Sequence, residues 1–326
     1  KSIGVVVPAY NEESHVGEVV RTLPSFVDRA YVVDDGSTDG TWAEIRRHAR
    51  RVNERAGEES EPRPASAPRS DGGEPPAPRV VPIQHDENQG VGGALKTGYR
   101  RALADGLDVT TVIAGDGQTQ PDIVERIVAP VAAGRAGYAK GNRLLGEDRA
   151  RMPRFRRFGN GVLSLLTKIA SGYWRVLDPQ NGSTAISREA LEAIDFEAMY
   201  EGYGYCNDLL VRCNVNGVRV ADVQRRAVYA EETSHIRYRT YVPRVSRLLL
   251  RGFCWRLYRK YLVDDAHPLV GLYALGDVAV GGGLAGARGD RGRGTGAVML
   301  VLGWLCWLLA MAADRRENRG LDLVVT

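Results

Sequence analysis

The chain has 326 residues, 44% apolar and 26% charged, enough to bury the core of one large α/β domain with an appendage. A formal net charge of +4 is too small at this length to argue for nucleic acid, and no nucleic-acid partner is expected. The four cysteines show no CxxC spacing and no companion histidines, which speaks against a disulfide or metal framework and for a reducing compartment.

The strand-like start KSIGVVVP has no apolar core followed by a cleavage site, so no signal peptide is expected. Ile3 to Val7 reads as a buried strand, and Ser14 to Leu23 as a helix capped by Ser14. Tyr31 to Val33 is a second strand, followed by the turn-rich DDGSTDGT and a helix from Thr41 to Val52. Residues 53–78 are rich in Pro, Glu, Ser and Gly with almost nothing to bury. They are expected to form a disordered insert whose removal spares the fold. Alternation resumes with strand Val80 to Ile83, helix Gly92 to Ala104, strand Val109 to Ala114 and helix Pro121 to Ala133. This spacing implies a Rossmann-like, mainly parallel central sheet with flanking helices and right-handed crossovers.

In such sheets ligands sit beyond the carboxyl ends of the strands. Each polar cluster falls at one of those ends: Asn11-Glu12-Glu13, Asp34-Asp35-Gly36-Ser37, Asp86 to Gly90, and Asp116. Asp39 suits a helix cap, whereas Asp34 and Asp35 lie too far upstream for capping and suit hydrogen bonds to a base or ribose. The stretch NQGVGGALKTGY, Asn88 to Tyr99, is neither a P-loop, because Leu95 precedes Lys96, nor a dinucleotide fingerprint, because Leu95 stands where a small residue is needed. It reads as a tight turn into a helix, whose free N–H groups and Lys96 could face an anion.

Further on, helices are expected over Arg154 to Ser171 and Asn207 to Val215, with a loop around Asp178-Pro179-Gln180-Asn181-Gly182. Tyr241 to Tyr261 mixes Arg with Leu, Trp, Phe and Tyr at helical spacing, as an amphipathic helix on a membrane does. Gly294 to Ala313 is an uncharged run of twenty residues, long enough for a span. His267 to Ala287 is a weaker candidate, carrying Asp277 and a Gly281-Gly282-Gly283 break. The expected organisation is a catalytic domain over 1–235, basic interfacial helices over 236–265 and a membrane region over 266–326. The basic stretch Arg244 to Lys260 fits the cytoplasmic side of a cell membrane, where residues 1–235 are then expected. The basic linker Arg288 to Arg293 fits that orientation poorly if both segments span.

Taken in order, VVVPAYNEE (Val5 to Glu13), VVDDGSTDGT (Val32 to Thr41), NQGVGGALKTGY and AGDGQTQPD (Ala114 to Asp122) resemble family 2 glycosyltransferases of the GT-A fold. KGNRL, DPQNGS and HPLVGLYALG point within it toward the polyprenyl- and dolichyl-phosphate sugar transferases. The resemblance implies inverting transfer of a hexose from a UDP- or GDP-sugar, with Mg²⁺ or Mn²⁺ on the diphosphate, to a polyprenyl phosphate among membrane lipids. Carried over, Pro8, Ala9, Tyr10, Glu12, Asp34, Asp35, Lys96 and Gln118 would line the nucleotide-sugar site. Asp116 would be the metal acid, standing alone because Ala114 replaces its usual partner. Gln180, Gly182 and Asn207 would border donor sugar and acceptor, and Asp208 aligns with the base of many relatives, although Asn207 replaces the Glu that usually precedes it. His235, Arg237, Arg239 and Arg244 are candidate cations for a lipid phosphate. The alternatives are the same fold acting on a carbohydrate hydroxyl, and a non-catalytic nucleotide-sugar-binding membrane protein.

Overall fold

The computed structural model describes residues 1–60, 77–115, 121–143, 154–224, 238–287 and 293–325. Its centre is an eight-stranded sheet in the order β3-β2-β1-β4-β6-β5-β7-β8. The strands are β1 (Ile3–Ala9), β2 (Arg29–Asp34), β3 (Val80–Gln84), β4 (Val109–Val112), β5 (Tyr138–Asn142), β6 (Thr184–Ser187), β7 (Val220–Gln224) and β8 (Asp322–Val325). Every pairing is parallel except the two made by β6. Because strand side chains alternate, β1 sends Val5, Val7 and Ala9 into one apolar layer and Val6 into the other. Helices α1 (Val16–Arg21), α2 (Thr41–Ser60) and α4 (Pro121–Ala132) cover the first face. The second is covered by α3 (Val91–Ala104), α6 (Arg188–Ala193) and α7 (Tyr205–Val215).

Two local expectations need correction. Ser14 is not the cap of α1: His15 holds that position, and the Ser14 hydroxyl bonds the His15 ring instead. The boundary expected at residue 53 also moves, because α2 continues to Ser60 and residues 61–76 lie outside the described residues. Asn53 is a structural clamp. Its amide donates to the Val80 carbonyl and its carbonyl accepts from the Val80 N–H, both at 2.8 Å, pinning the first residue of β3. Asn53→Ala is therefore expected to destabilise the chain by about 1–3 kcal/mol, readable as a lower denaturation midpoint. An unchanged midpoint would show that the clamp holds nothing.

Past the sheet, α5 (Arg154–Ser171) and α8 (Tyr238–Tyr258) pack together, and a π-helical segment over Arg259–Asp264 leads into α9 (Leu269–Gly286) and α10 (Arg293–Glu317). Both α9 and α10 are long and apolar enough to cross a membrane. The expected glycine break in α9 is absent, for a packing reason. A Cβ at Gly283 would meet the Gly296 carbonyl at 2.8 Å, and one at Gly303 the Gly276 carbonyl at 3.0 Å, so these glycines let two backbones approach. Asp277 accepts from the Trp307 indole N–H at 3.1 Å across the pair. After α10 the chain returns to the sheet as β8, parallel to β7, although the sequence placed all of 266–326 in a membrane region. Both ends of the α9–α10 hairpin are thereby held on the side of the sheet.

Candidate active site

The carboxyl ends of β1, β2, β3 and β4 meet along one rim, and the loops there are sewn to one another. Asn11 sits at φ 55°, a left-handed conformation that Asn tolerates; its backbone N–H donates to Ser37 Oγ and its side-chain Oδ1 accepts from the Thr38 N–H. Glu13 accepts from the Gly40 N–H, and the Glu12 N–H donates to Thr41 Oγ1. Much of the NEE cluster is thus used to bind the loop after β1 to the loop after β2. The Glu12 carboxylate lies 3.4 Å from the His15 ring.

Asp34 and Asp35 have different situations. Asp34 is fully buried, accepting from the Ser37 N–H and from Gln84 Nε2. Asp35 Oδ1 accepts from the Gln89 N–H at 2.9 Å and pairs with His85 Nδ1 at 2.8 Å, while His85 Nε2 reaches Thr97 Oγ1 at 2.9 Å. No described group bonds Asp35 Oδ2. The Asp35 N–H donates to the Ala9 carbonyl, the carbonyl of Pro8 accepts from the Gly115 N–H, and Tyr10 is 45% exposed at the same rim. Together Pro8, Ala9, Tyr10 and Asp35 form one wall, with the end of β4 directly beside it. Asp116, next after Gly115, and Gln118 lie outside the described residues.

Lys96 and the glycine-rich approach to α3 are engaged by protein. Lys96 Nζ donates to Glu201 at 2.7 Å, and the Gly92 N–H to the Glu201 carbonyl at 2.7 Å. A Cβ at Gly92 would stand 2.4 Å from the Tyr200 carbonyl, so glycine is required there by the backbone of 200–202. The Gly92 N–H is thus not free to meet an anion. Asp208 holds the other side of this same loop: Oδ2 accepts from the Tyr200 N–H at 3.0 Å and from Arg212 Nε at 2.9 Å.

A second group of polar side chains lies under the 178–183 loop. Asn207 is fully buried, and its carbonyl accepts from Gln180 Nε2 at 2.7 Å, while Gln180 Oε1 accepts from the Tyr241 hydroxyl of α8 at 2.7 Å. Gly182 passes close to Tyr205, whose hydroxyl would be 3.1 Å from an added Cβ. Below them Lys140 is fully buried near Asp178 and Asp222. Burial pushes the Asp178 carboxyl up, but the charge and hydrogen bonds of Arg143, with Lys140 behind them, outweigh it and hold Asp178 below the usual carboxylate range. Burial wins at Asp222, which is pushed up to about 6 against the attraction of Lys140 and the bonds from Asn142 and the Leu177 N–H.

That shift has a definite sign. The folded chain holds the Asp222 proton more tightly than the unfolded chain, whose carboxyl titrates near about 4. Its contribution to stability is therefore full below about pH 4 and lost as pH rises through about 6. Asp222→Asn should remove that fall, so its stability relative to the parent should rise between about pH 4 and 6, measured as denaturation midpoints across the range. Parallel pH profiles would refute the assignment.

Of the other expected cations, His235 and Arg237 lie outside the described residues, Arg239 falls in the first turn of α8, and Arg244 is exposed on the same helix. Sequence reasoning missed His85, Glu201 and Tyr241. His85 alone left a signal, as the last residue before the acidic loop that follows β3.

Residues 4–67 and 74–195 match the pattern described as Glycosyl transferase family 2. The chain belongs to glycosyltransferase family 2. Its relatives include the UDP-N-acetylglucosamine–dolichyl-phosphate N-acetylglucosaminyltransferase of Methanococcus voltae, 30% identical over 233 residues that span 71% of this chain and 87% of the relative. The polyprenol monophosphomannose synthase of Mycolicibacterium smegmatis is 30% identical over 231 residues, 67% of this chain and 74% of that one. The undecaprenyl-phosphate mannosyltransferase of Micrococcus luteus is 28% identical over 224 residues, 67% of this chain and 80% of that one. Among solved structures, glucosyl-3-phosphoglycerate synthase of Mycobacterium tuberculosis, in complex with Mn²⁺, UDP and glucosyl-3-phosphoglycerate, superposes with a TM-score of 0.53 at 20% identity. The match covers 78% of this chain and 80% of that one, and shows the shared GT-A-like fold. This family 2 glycosyltransferase is thus an enzyme, which leaves the non-catalytic alternative without support.

Proposed function

We propose that this glycosyltransferase moves a hexose, with inversion, from a UDP- or GDP-sugar to a polyprenyl phosphate at the cytoplasmic face of a membrane. The observation that carries the acceptor class is the hydrogen-bonded path Asn207–Gln180–Tyr241. It ties the loop at the sheet to α8, and α8 runs into the apolar hairpin. The relatives named for dolichyl, undecaprenyl and polyprenol phosphates support the same class.

The nucleoside would lie against the wall of Pro8, Ala9, Tyr10 and Asp35, where Asp35 Oδ2 is the acceptor left for a base or ribose donor. Asp34, fully buried, would act by fixing the turn that presents Asp35. Among the described residues no group of three or more His, Cys, Asp or Glu could hold a metal. Asp116, which lies outside the described residues, would hold a divalent ion together with the donor diphosphate, the few-carboxylate mode that Mg²⁺ favours. Bound there, it would offset the charge of the leaving nucleoside diphosphate. Attack comes from the acceptor phosphate, with second pKa about 6, which is mostly a dianion at neutral pH and needs placement more than deprotonation. The position of Asp208 suits this: it braces Tyr200 and Arg212, as a structural bracket does.

The test is to incubate membranes containing the protein with labelled UDP- and GDP-sugars and Mn²⁺, then extract with organic solvent. Label in the organic phase is expected, and its absence with every donor would overturn the lipid-phosphate reading. Transfer to a carbohydrate hydroxyl is the rival, since that acceptor must lose a proton to a positioned base. Near-complete loss of turnover in Asp208→Asn, with donor still bound, would favour it.

A further inference from the structure

Asp35 has one oxygen to offer, not two. Its Oδ1 accepts from the Gln89 N–H at 2.9 Å and faces His85 Nδ1 at 2.8 Å, so both lone pairs of that oxygen are taken. Its Oδ2 has no partner among the described residues, although the side chain as a whole is buried. The arrangement is held from behind. The His85 N–H donates to the Asp34 carbonyl at 2.9 Å, and His85 Nε2 lies 2.9 Å from Thr97 Oγ1 on α3. Gly36 stands at φ 72°, and a Cβ there would come within 2.7 Å of the Glu87 carbonyl carbon and 2.8 Å of the Asn88 nitrogen. The loops after β2 and β3 therefore interlock, and the Gln89 N–H cannot drift away from Oδ1.

Position across the sheet selects the part of the nucleotide that meets Asp35. Strands β2 and β4 flank β1. Asp35, directly after β2, thus stands two strand spacings, about 10 Å, from the end of β4. Under the proposed function the diphosphate lies at the end of β4. The nucleotide then crosses β1 with its ribose in the middle, and the base is what arrives at Asp35.

The bases differ in what they bring to a single open oxygen. Uracil presents one N–H, at N3, between two carbonyls, and one acceptor satisfies it. Guanine presents two adjacent donors, N1–H and the N2 amino group, which match a carboxylate with both oxygens open. Here its second donor would meet an oxygen already filled, and a buried donor without a partner is costly. Adenine and cytosine turn an unprotonated ring nitrogen toward the carboxylate, which repels it.

We propose that the donor is a uridine nucleotide, and that His85 is the positioning residue that sets this choice by filling Asp35 Oδ1. This rests on the nucleotide-sugar reading of the rim and is independent of the acceptor.

The test is calorimetric titration of the full chain in detergent, with Mn²⁺ present, using UDP, GDP, N3-methyl-UDP and 2′-deoxy-UDP. UDP should bind at least about 10-fold more tightly than GDP, N3-methylation should cost about 10- to 100-fold, and loss of the 2′-hydroxyl less than about 3-fold. His85→Ala, which opens Oδ1, should bring the ratio of UDP to GDP affinity toward one. His85→Asn, whose amide can donate from the place of Nδ1, should restore the ratio. GDP binding as tightly as UDP to the parent chain overturns the proposal. A 2′-deoxy loss as large as the N3-methyl loss does so too, since it would put the ribose at Asp35. An equal weakening of both nucleotides in His85→Ala would reduce His85 to a structural residue and overturn its role in the choice. If no nucleotide binds at all, the nucleotide-sugar reading falls and this proposal with it. No acceptor enters these titrations, so a failure of the lipid-phosphate reading would leave their outcome standing.

Discussion

Asp314→Ala is expected to destabilise the chain by about 3–5 kcal/mol, among the largest effects of any single substitution in the molecule. Arg256 and Asp314 are both fully buried and pair through two nitrogens, at 2.7 and 3.1 Å. Every other donor around Asp314 is committed as well: the Tyr261 hydroxyl at 2.8 Å and the Asn318 amide at 3.0 Å. Lys260 completes the cluster through Asn214 and Asn318, and burial pushes its pKa down to about 8. Removing the carboxylate leaves a guanidinium that cannot lose its proton inside a space with no counter-charge. Replacing both partners with apolar residues, Arg256→Met with Asp314→Leu, should cost much less, because no charge is then stranded. Thermal denaturation in detergent distinguishes these outcomes. A single variant within about 1 kcal/mol of the parent would show that the pair does not hold the junction. The loss should also reach the sheet, since β8 follows α10 directly and covers the edge of β7.

This junction is also where the sequence was least legible. Strands β1 to β4 announce themselves by apolar runs with turn residues behind them, and helices α3, α4 and α5 by their periodicity, so half of the sheet was readable. Strands β5, β6, β7 and β8 are four or five residues long, and two of them carry Lys140 and Asp222 into the interior. A buried lysine and a buried aspartate look like surface residues until the fold brings them to one another. The final strand is further hidden by its place after the apolar hairpin, where local composition argues for membrane and nothing local argues for a sheet. At the rim the residue types were legible because strand ends collect ligand-binding groups, but their division of labour was not. That Asp34 faces inward, that His85 braces Asp35 on Thr97, and that Glu201 occupies both Lys96 and the approach to α3 rest on contacts between distant residues, Asp34 with Gln84 and Asp35 with His85 50 positions apart and Lys96 with Glu201 105 apart.

Asp35 and Asp116 should then fail in opposite ways. In Asp35→Asn the Oδ1 side can still accept from Gln89 and His85, while the other atom becomes an N–H that repels a donor on the nucleoside. A charged hydrogen bond is worth about 1.5–3 kcal/mol. The donor KM should therefore rise about 10- to 100-fold with kcat near the parent value. Asp116→Asn should lower kcat instead, by roughly 100-fold or more, because several kcal/mol of charge stabilisation is needed only as the diphosphate departs. Steady-state kinetics with one labelled donor separates the two. An unchanged donor KM in Asp35→Asn would mean its open oxygen does not face the nucleoside. The same logic governs the metal. With no cage of His, Cys, Asp or Glu among the described residues, calorimetric titration of Mn²⁺ into the protein alone should show weak binding, and titration with nucleoside diphosphate present should show tight binding. Tight binding without the nucleotide would require protein ligands beyond Asp116. Weak binding alone and tight binding with the diphosphate would make the single carboxylate a sufficient half-site, completed by the molecule it serves.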